Sequence, residues 1–296
     1  MMIKLSFLTL TRIATLMAAC VLVGCGGASS TVDPLVPTRV IAFGDAFSTV
    51  DSSGYATYSV NTSETNATVA SRIASIYGFT LKAVASSSAV IASGTAYSYA
   101  VGGTTATSSA TATQISNYLA HNTPGTKDLF IITAGTEDIV AAVPTNDTTA
   151  IATAATALTS AIQSLTNAGA QYVMVMQPIN VARTPPFLTA RGVRSAGASA
   201  TSNSVAQALS YDSGEACQSY SCQLSTKLNS AYPATSSHQP ILLVDLMSYF
   251  NKITGTKFSL YPTGNENTFG TYGVANPDLV SCTSASWATL SCSSST

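Results

Sequence analysis

Short apolar runs, rich in β-branched and aromatic residues, alternate along this chain with longer stretches of helical spacing. Five such runs lie at 38–43, 79–84, 128–133, 171–176 and 241–245, and helical patterns fill 65–77, 114–119, 148–167 and 203–231. Because the runs are apolar throughout, they indicate strands buried on both faces. The sequence therefore predicts a doubly wound α/β fold, in which helices cover a parallel sheet.

Residues 246–296 do not continue this pattern. They hold turn signals and a final Ser-Ser-Ser-Thr, but no convincing helix. A doubly wound sheet normally ends with a helix over its last strand, and we expect that helix to be missing here. The Ser/Thr/Ala-rich stretches at 85–93 and 104–113 are expected to be surface loops. This divides the chain into a leader (1–24), a lipidated cysteine with a tether (25–37) and a single domain (38–296) that is incomplete at its C-terminal end.

The composition excludes several functions. Lys and Arg number 12 against 13 Asp and Glu, and charged residues make up only 8% of the chain, compared with about 25% in ordinary soluble proteins. Without a basic run, nucleic-acid binding is not expected. No Gly-rich loop is followed by Lys, so we expect neither nucleotide binding nor a bound cofactor. Polarity comes from 41 Ser and 41 Thr.

The N-terminus has the pattern of an export signal. Lys4 and Arg12 precede an apolar core at 13–23. The following Leu22-Val23-Gly24-Cys25 resembles the lipobox of bacterial lipoproteins. That resemblance implies cleavage before Cys25, lipidation of this residue and attachment to a membrane. Because no Asp follows Cys25, it also implies the outer membrane of a Gram-negative bacterium. An ordinary signal peptide with an unrelated cysteine is the alternative.

The cysteines agree with export. Cys20 and Cys25 belong to the leader region, and four remain in the mature part, namely Cys217, Cys222, Cys282 and Cys292. An even number in an oxidising compartment suggests disulfides. Three connectivities are possible, and pairing of sequence neighbours is the simplest. No Cys-x-x-Cys or nearby His accompanies them, so a metal site is not expected.

Three short segments should meet at one edge of the predicted sheet. Residues 43–48 (Phe-Gly-Asp-Ala-Phe-Ser) follow the first strand, 99–104 (Tyr-Ala-Val-Gly-Gly-Thr) follow the second, and 134–138 (Ala-Gly-Thr-Glu-Asp) follow the third. Carboxyl ends of parallel strands are where open α/β sheets bind ligands. The segments are therefore the candidate functional site.

In this order, the segments resemble the Gly-Asp-Ser-Leu-Ser, Ala-Val-Gly-Gly-Ala and Gly-x-Asn-Asp blocks of the SGNH/GDSL esterase and lipase family. The resemblance covers about residues 38–280 and implies a flavodoxin-like, three-layer fold with five parallel strands. It also implies an ester hydrolase. In that family a Ser attacks the carbonyl carbon, and a C-terminal Asp-x-x-His activates it. The oxyanion is bound by backbone N–H groups and an Asn side chain.

The chain departs from the family pattern at each catalytic position. Ala46 stands where the nucleophilic Ser is expected, and a methyl group cannot attack a carbonyl. Glu137 stands where the oxyanion Asn is expected, and an ionised carboxylate cannot donate a hydrogen bond. No Asp-x-x-His occurs. Gly102 or Gly103 still matches the oxyanion-hole glycine, while Gly44, Asp45, Ser48, Gly135 and Asp138 match supporting positions.

Substitutes for the missing groups are few. Ser48 is interpreted as a turn or helix-cap residue, with a relocated nucleophile as the alternative. His121 and His238, the only histidines, precede strands and should lie at the opposite edge of the sheet. Glu137 most simply caps a helix or faces solvent; alternatives are a cation site or an acid with raised pKa. Arg183, Arg191 and Arg194 fall in one loop, which is either solvated or an anion site.

These observations leave three hypotheses. The first is a lipid-anchored family member whose catalytic set is degraded and which binds an acyl-ester, lipid or glycan ligand, or a partner protein. The second is a working carboxylesterase or lipase, or a truncated copy of one. The third is a structural or adhesive surface lipoprotein, suggested by the Ser/Thr-rich, charge-poor composition.

Overall fold

The computed structural model describes residues 34–57, 67–103, 110–184, 200–211, 216–234 and 239–253. The strands are β1 (Arg39–Gly44), β2 (Leu81–Ala83), β3 (Ala96–Ser98), β4 (Asp128–Thr133), β5 (Tyr172–Met176) and β6 (Ile241–Val244). The helices are α1 (Val69–Ile76), α2 (Thr111–His121), α3 (Thr136–Ala142), α4 (Thr148–Asn167), α5 (Ala200–Ser210), α6 (Tyr220–Ala231) and α7 (Leu246–Ile253).

The six strands form one sheet in the order β2-β3-β1-β4-β5-β6, and every neighbouring pair is parallel. Central strands β1 and β4 pair along their whole length, from Arg39 opposite Asp128 to Gly44 opposite Thr133. Both are almost entirely buried, as expected for strands with helices on both faces. The α/β class and the flavodoxin-like arrangement predicted from the sequence are confirmed.

The prediction of five strands is wrong by one. β3 adds a strand between β1 and β2, so the Gly-Gly segment follows β3 and not the second strand as expected. β3 has only three residues, Ala96-Tyr97-Ser98, which are too few to produce a periodic signal. Its strand geometry comes from pairing with β1 on one side and β2 on the other.

Two further expectations fail. Residues 246–253 form α7 directly after β6, although no helix is expected there. The Asp245 carboxylate accepts a hydrogen bond from the Ser248 N–H at 2.8 Å, and Met247 and Asn251 are buried. The apolar residues Leu246, Met247, Phe250 and Ile253 recur at helical spacing, a signal that sequence reasoning missed. Similarly, Thr111 begins α2, so the loop predicted at 104–113 ends earlier; 85–93 is a loop as predicted.

The core on one side of the sheet contains an aromatic cluster. Phe43 stacks on Phe130 across β1 and β4, and the ring of Tyr118 from α2 meets both edge-on. Tyr99, just after β3, completes the cluster. These rings lie immediately below the carboxyl ends of β1 and β3, so they form a rigid floor for the loops that follow.

The opposite end of the sheet is fixed by an ion pair. Arg39 and Asp128 form a salt bridge, and the Arg39 Nη atoms also donate to the carbonyls of Ile91 at 3.0 Å and Thr123 at 2.7 Å. The Asp128 carboxylate accepts in addition from the Thr38 hydroxyl at 2.8 Å. Because the buried Asp128 carboxylate has its hydrogen bonds satisfied, it and Arg39 together stabilise the loops at the amino ends of the strands.

Within the described ranges, no helix combines the length and apolar character needed to cross a bilayer. The proposed leader at 1–24 lies outside those ranges, as does the Cys25 lipidation site.

Candidate functional site

The first segment leaves β1 through an unusually close backbone contact. Gly44 has φ of +123°, and a Cβ built on it would lie 1.6 Å from the carbonyl oxygen of Thr133. The next N–H, of Asp45, donates to that same oxygen at 2.9 Å. Only glycine allows this approach. The ends of β1 and β4 are thereby held together at the point where the candidate site begins.

Gln114 fixes Gly44 from the other side. Its Oε1 accepts from the Gly44 N–H at 2.6 Å, and its Nε2 donates to the Gly44 carbonyl at 3.1 Å. Sequence reasoning missed this residue. A polar side chain at a buried helix position was the available signal, because such groups need a partner inside the protein.

Position 46 carries a partly buried methyl group at the turn after Asp45. The nearby hydroxyl of Ser48 does not replace a nucleophile there, because the residue is 0% exposed. Its Oγ lies 2.9 Å from the donating hydroxyl of Thr133, and its carbonyl accepts from the Ser98 hydroxyl at 2.7 Å. These contacts support the interpretation of Ser48 as a residue that holds the turn.

The second segment lies against the first. The Val101 N–H donates to the Gly44 carbonyl at 3.0 Å, and the Tyr99 N–H donates to the Ala42 carbonyl at 2.8 Å. Gly102 and Gly103 follow immediately, and Gly103 has φ of +75°. The structure thus brings the glycine pair beside the end of β1, where the sequence predicted it. Residues 104–109 lie outside the described ranges.

The third segment turns from β4 into α3 through Gly135. This residue has φ of +113°, and a Cβ on it would lie 2.4 Å from Cε1 of Tyr220. Tyr220, from the first turn of α6, is therefore packed flat against the loop. Sequence reasoning did not identify Tyr220. Glu137 and Asp138 follow in the first turn of α3, the former partly buried and the latter buried.

Burial is the largest cause of the pKa shifts of Asp45 and Glu137. It raises the pKa of Asp45 to about 7, although the Phe47 N–H, which donates to the carboxylate, and the neighbouring Thr133 hydroxyl act to lower it. Burial also raises the pKa of Glu137, and the neighbouring Asp138 charge adds to it. A protonated carboxylic acid can donate one hydrogen bond. The site therefore gains donors as the pH falls.

Two hydroxyls near these carboxyls are buried without a hydrogen-bond partner among the described residues, those of Thr136 and Tyr220. Burial, followed by the Asp138 and Asp45 charges, raises the pKa of Tyr220 well above its usual value. Such unpaired buried groups cost free energy. At this edge of the sheet, a bound molecule could therefore supply the hydrogen bonds that these two hydroxyls lack.

A narrow cleft opens between the ends of β1, β4 and β5. It is lined by Asp45, Phe47, Thr133, Thr136, Met176 and Leu246, among others, and its cavity measures about 10 Å³. That is about the space for one water molecule. The cleft therefore carries hydrogen-bonding groups on the β1 and β4 side, while Met176, Ile179 and Leu246 on the β5 and α7 side are apolar and Gln177 adds one polar group there.

The remaining candidate residues are not brought to this edge. His121 is exposed at the end of α2, ahead of β4, with its Nδ1 at 3.0 Å from the Asn117 carbonyl oxygen. His238, Arg191 and Arg194 lie outside the described residues, as does the Arg183 side chain. In the described part, no three His, Cys, Asp or Glu residues are grouped so as to hold a metal ion.

One of the predicted disulfides is present. Cys217 and Cys222 are joined across the turn that leads into α6, and the Gln223 side chain donates to the Cys217 carbonyl. The Ser219 hydroxyl caps α6 at the Cys222 N–H. This bridge fixes the helix start that carries Tyr220. Cys282 and Cys292 lie outside the described residues, so their pairing stays a prediction.

Comparison with known proteins agrees with the geometry. The family model described as GDSL-like Lipase/Acylhydrolase matches residues 40–257, which is about three quarters of the chain and includes all three segments. No curated protein matches the chain significantly.

Proposed function

The chain belongs to the GDSL-like lipase/acylhydrolase family, and from this premise we propose that it is a lipid-anchored, catalytically impaired member that binds an acyl ester without hydrolysing it. The proposal depends mainly on position 46. A methyl group occupies the turn where the family carries its nucleophile, and the nearest hydroxyl, of Ser48, is buried and bonded to Thr133. The loop therefore offers no group in its place.

Two other features also support impaired catalysis. Glu137 stands at the position of the oxyanion-binding Asn, and when ionised it would repel the negative charge that develops on an attacked carbonyl. The sequence has no Asp-x-x-His, and exposed His121 lies at the amino end of β4. Restoring a single group is therefore not expected to restore activity.

Binding does not require these side chains. The backbone N–H groups of Ala46 and of Gly102 or Gly103 belong to the main chain and would still be able to hold a carbonyl oxygen. A protonated Glu137, favoured by its raised pKa, would add a donor instead of a repulsive charge. A short acyl end would contact Met176 and Leu246 only at the mouth of the cleft, because the cleft itself has space for about one water molecule.

The anchoring part of the proposal comes from the leader. Leu22-Val23-Gly24-Cys25 would be cleaved and lipidated, and the residues to 37 would tether the domain to the outer membrane. The Cys217–Cys222 bridge is consistent with an exported protein. Incorporation of a labelled fatty acid into the chain, and its loss in Cys25→Ser, tests this part.

The catalytic part is tested with a p-nitrophenyl acetate assay of the wild type, Ala46→Ser and Ala46→Ser/Glu137→Asn. We expect all three to release nitrophenol no faster than a heat-denatured sample. Wild-type turnover that survives Ser48→Ala would overturn the proposal and indicate another nucleophile.

The binding part is tested by thermal unfolding with added ester. A ligand that binds only the folded state raises the midpoint as its concentration exceeds Kd. We expect such a rise in the wild type and a smaller one in Gly102→Pro, which removes one N–H group. No rise with any acyl ester would contradict the binding role.

A further inference from the structure

Apolar side chains are exposed together at the β2 edge of the sheet. β2 is the edge strand, and α1 ends at Ile76, which is 78% exposed. Tyr77 follows it and is also exposed. The turn from Tyr77 to Phe79 is bound back to α1, since the N–H groups of both residues donate to the Ala74 carbonyl at 3.1 and 3.0 Å. Their exposure is therefore built into a fixed turn.

A second aromatic residue reaches the same edge from another loop. Gly54 lies against β2, so closely that a Cβ on it would be 2.7 Å from the Leu81 carbonyl oxygen. The adjoining Asp51 carbonyl accepts from the Ala83 N–H at 2.9 Å. The next residue, Tyr55, is exposed beside the strand. We call Tyr55, Ile76 and Tyr77, with the cations described next, the β2-edge patch.

Two basic residues lie on the elements that form this edge, α1 and β2. Arg72 lies four residues before Ile76, so both occupy one face of α1, and Lys82 is the central residue of β2. Both are exposed, and neither belongs to the one salt bridge found among the described residues. Among the described residues of the neighbouring loop, the acid is Asp51, whose Oδ1 accepts from the N–H groups of Ser53, Gly54 and Tyr55. The described part of the patch therefore carries more positive than negative charges.

A groove opens beside the patch. It measures about 250 Å³ and lies at the amino ends of β2 and β3, between Lys82, Phe79 and Tyr97. The groove is larger than the cleft at the carboxyl ends of the strands and lies away from it. With an ammonium group and two aromatic rings on its walls, it can receive an anionic head group whose neighbouring atoms are apolar.

We propose that the β2-edge patch rests on an anionic phospholipid surface, with Ile76 inserted, the two tyrosines at the interface, and Arg72 and Lys82 on lipid phosphates. Exposed apolar residues flanked by tyrosine and basic residues are the pattern of interfacial binding. Each basic residue near such a surface adds electrostatic attraction to the anionic lipids.

The choice of a membrane as the occupant rests on the lipid anchor of the proposed function. From 26 to 37 there are twelve residues, and at about 3.3 Å each they reach at most ~40 Å. A domain tethered so closely would meet the bilayer at high effective concentration. Docking at the amino ends of β2 and β3 would leave the carboxyl-end cleft away from the bilayer, so its ligand would arrive from the aqueous side.

Co-sedimentation with vesicles tests the proposal on the chain from residue 26 onward, which lacks both the apolar leader and Cys25 and so isolates the patch from the other proposed membrane attachments. The vesicles contain phosphatidylethanolamine with phosphatidylglycerol, or phosphatidylcholine alone. We expect binding to the anionic vesicles that weakens as salt increases. Ile76→Glu should reduce it about tenfold, a difference of ~1.4 kcal/mol. Lys82→Gln provides a second variant with an unchanged apolar surface, and it should weaken binding several-fold.

Leu242→Glu is the matched control, because Leu242 is 57% exposed on β6, the opposite edge strand. It should bind like the parent. Equal loss in Leu242→Glu, or no preference for anionic vesicles, would overturn the proposal. So would self-association that depends on Ile76 without vesicle binding, which would assign the patch to a second copy of the chain. Fatty-acid labelling at Cys25 is a separate readout, so failure of the anchor and failure of the patch are distinguishable.

Discussion

Gln114 and Gly44 exchange two hydrogen bonds, from the glycine N–H to Oε1 at 2.6 Å and from Nε2 to the glycine carbonyl at 3.1 Å. The side chain of a helix residue thus takes the place of a neighbouring strand at the end of β1. Gln114 supplies hydrogen bonds to the Gly44 backbone at the point where β1 stops pairing, while the Thr133 carbonyl lies close to Gly44 on the other side. The turn that carries Asp45 and Ala46 is therefore held by its surroundings as well as by its own hydrogen bonds, from the Phe47 and Ser48 N–H groups to Asp45.

Removing this side chain should destabilise the fold. Gln114→Ala removes both hydrogen bonds that this side chain makes with the buried Gly44 backbone, although the Gly44 carbonyl keeps the Val101 N–H, and this costs about 1–3 kcal/mol. Urea unfolding of the purified protein measures this difference. Gln163→Ala, at an exposed position of α4, is the matched control and should change the free energy of unfolding by less than about 0.5 kcal/mol. Similar values for the two variants would show that the Gly44 contact contributes little.

Gly135 should tolerate a methyl group far less well than Gly169. Both have φ of +113°, so alanine strains the backbone equally, by about 1–2 kcal/mol. Only at position 135 would the Cβ also meet the Tyr220 ring, at 2.4 Å, whereas at 169 the nearest atom is 3.7 Å away. We expect Gly135→Ala to cost at least ~2 kcal/mol more than Gly169→Ala in denaturant unfolding. Equal costs would mean that the ring moves aside freely.

Stability should fall as the pH rises from about 4 to 7. The folded protein keeps a proton on Asp45 up to about pH 7, while the unfolded chain releases it near 3.8. The unfolded state therefore binds fewer protons across this interval, and the free energy of unfolding decreases with pH. The raised pKa of Glu137 acts in the same direction.

The decrease can approach ~1.4 kcal/mol per pH unit within the interval. Unfolding free energies measured at several pH values check it, and Asp45→Asn should flatten the curve because the amide does not titrate. A wild-type curve that rises between pH 4 and 7, or one unchanged by Asp45→Asn, would contradict the assignment.

Reduction of the Cys217–Cys222 bridge should lower stability by about 2 kcal/mol, the loop entropy for a separation of five residues. Thermal unfolding with and without dithiothreitol measures the effect, and Cys217→Ser/Cys222→Ser should abolish the response to the reductant. Because the bridge fixes the first turn of α6, reduction should also change the tyrosine fluorescence of the protein. The part of this change that is absent in Tyr220→Phe comes from Tyr220. A double serine variant that still responds would assign the effect to Cys282 and Cys292.

Sequence reasoning predicted most of the fold because the main strands are long enough to carry a signal. β1, β4 and β5 are continuous apolar runs that must be buried on both faces, and α1 and α4 have clear periodicity and recognisable caps at Thr68 and Asp147. It failed at β3 and α7. The three residues of β3 acquire their conformation from the strands that pair with them, whereas the eight residues of α7 do carry an amphipathic helical pattern that was overlooked because it is short.

For the site, the sequence alone determined which side chains stand at the family positions. Order along the chain and the strand pattern were enough to place Ala46, the glycine pair and Glu137 together, because carboxyl ends of parallel strands meet at one edge. Only the tertiary structure decided what surrounds them. Gln114, Thr133 and Tyr220 reach the turns from elements far away in the chain, and no local pattern encodes such contacts. Burial within the fold raises the pKa of Asp45 even though the Thr133 hydroxyl acts to lower it, since the cost of a charge depends on everything that excludes water from it.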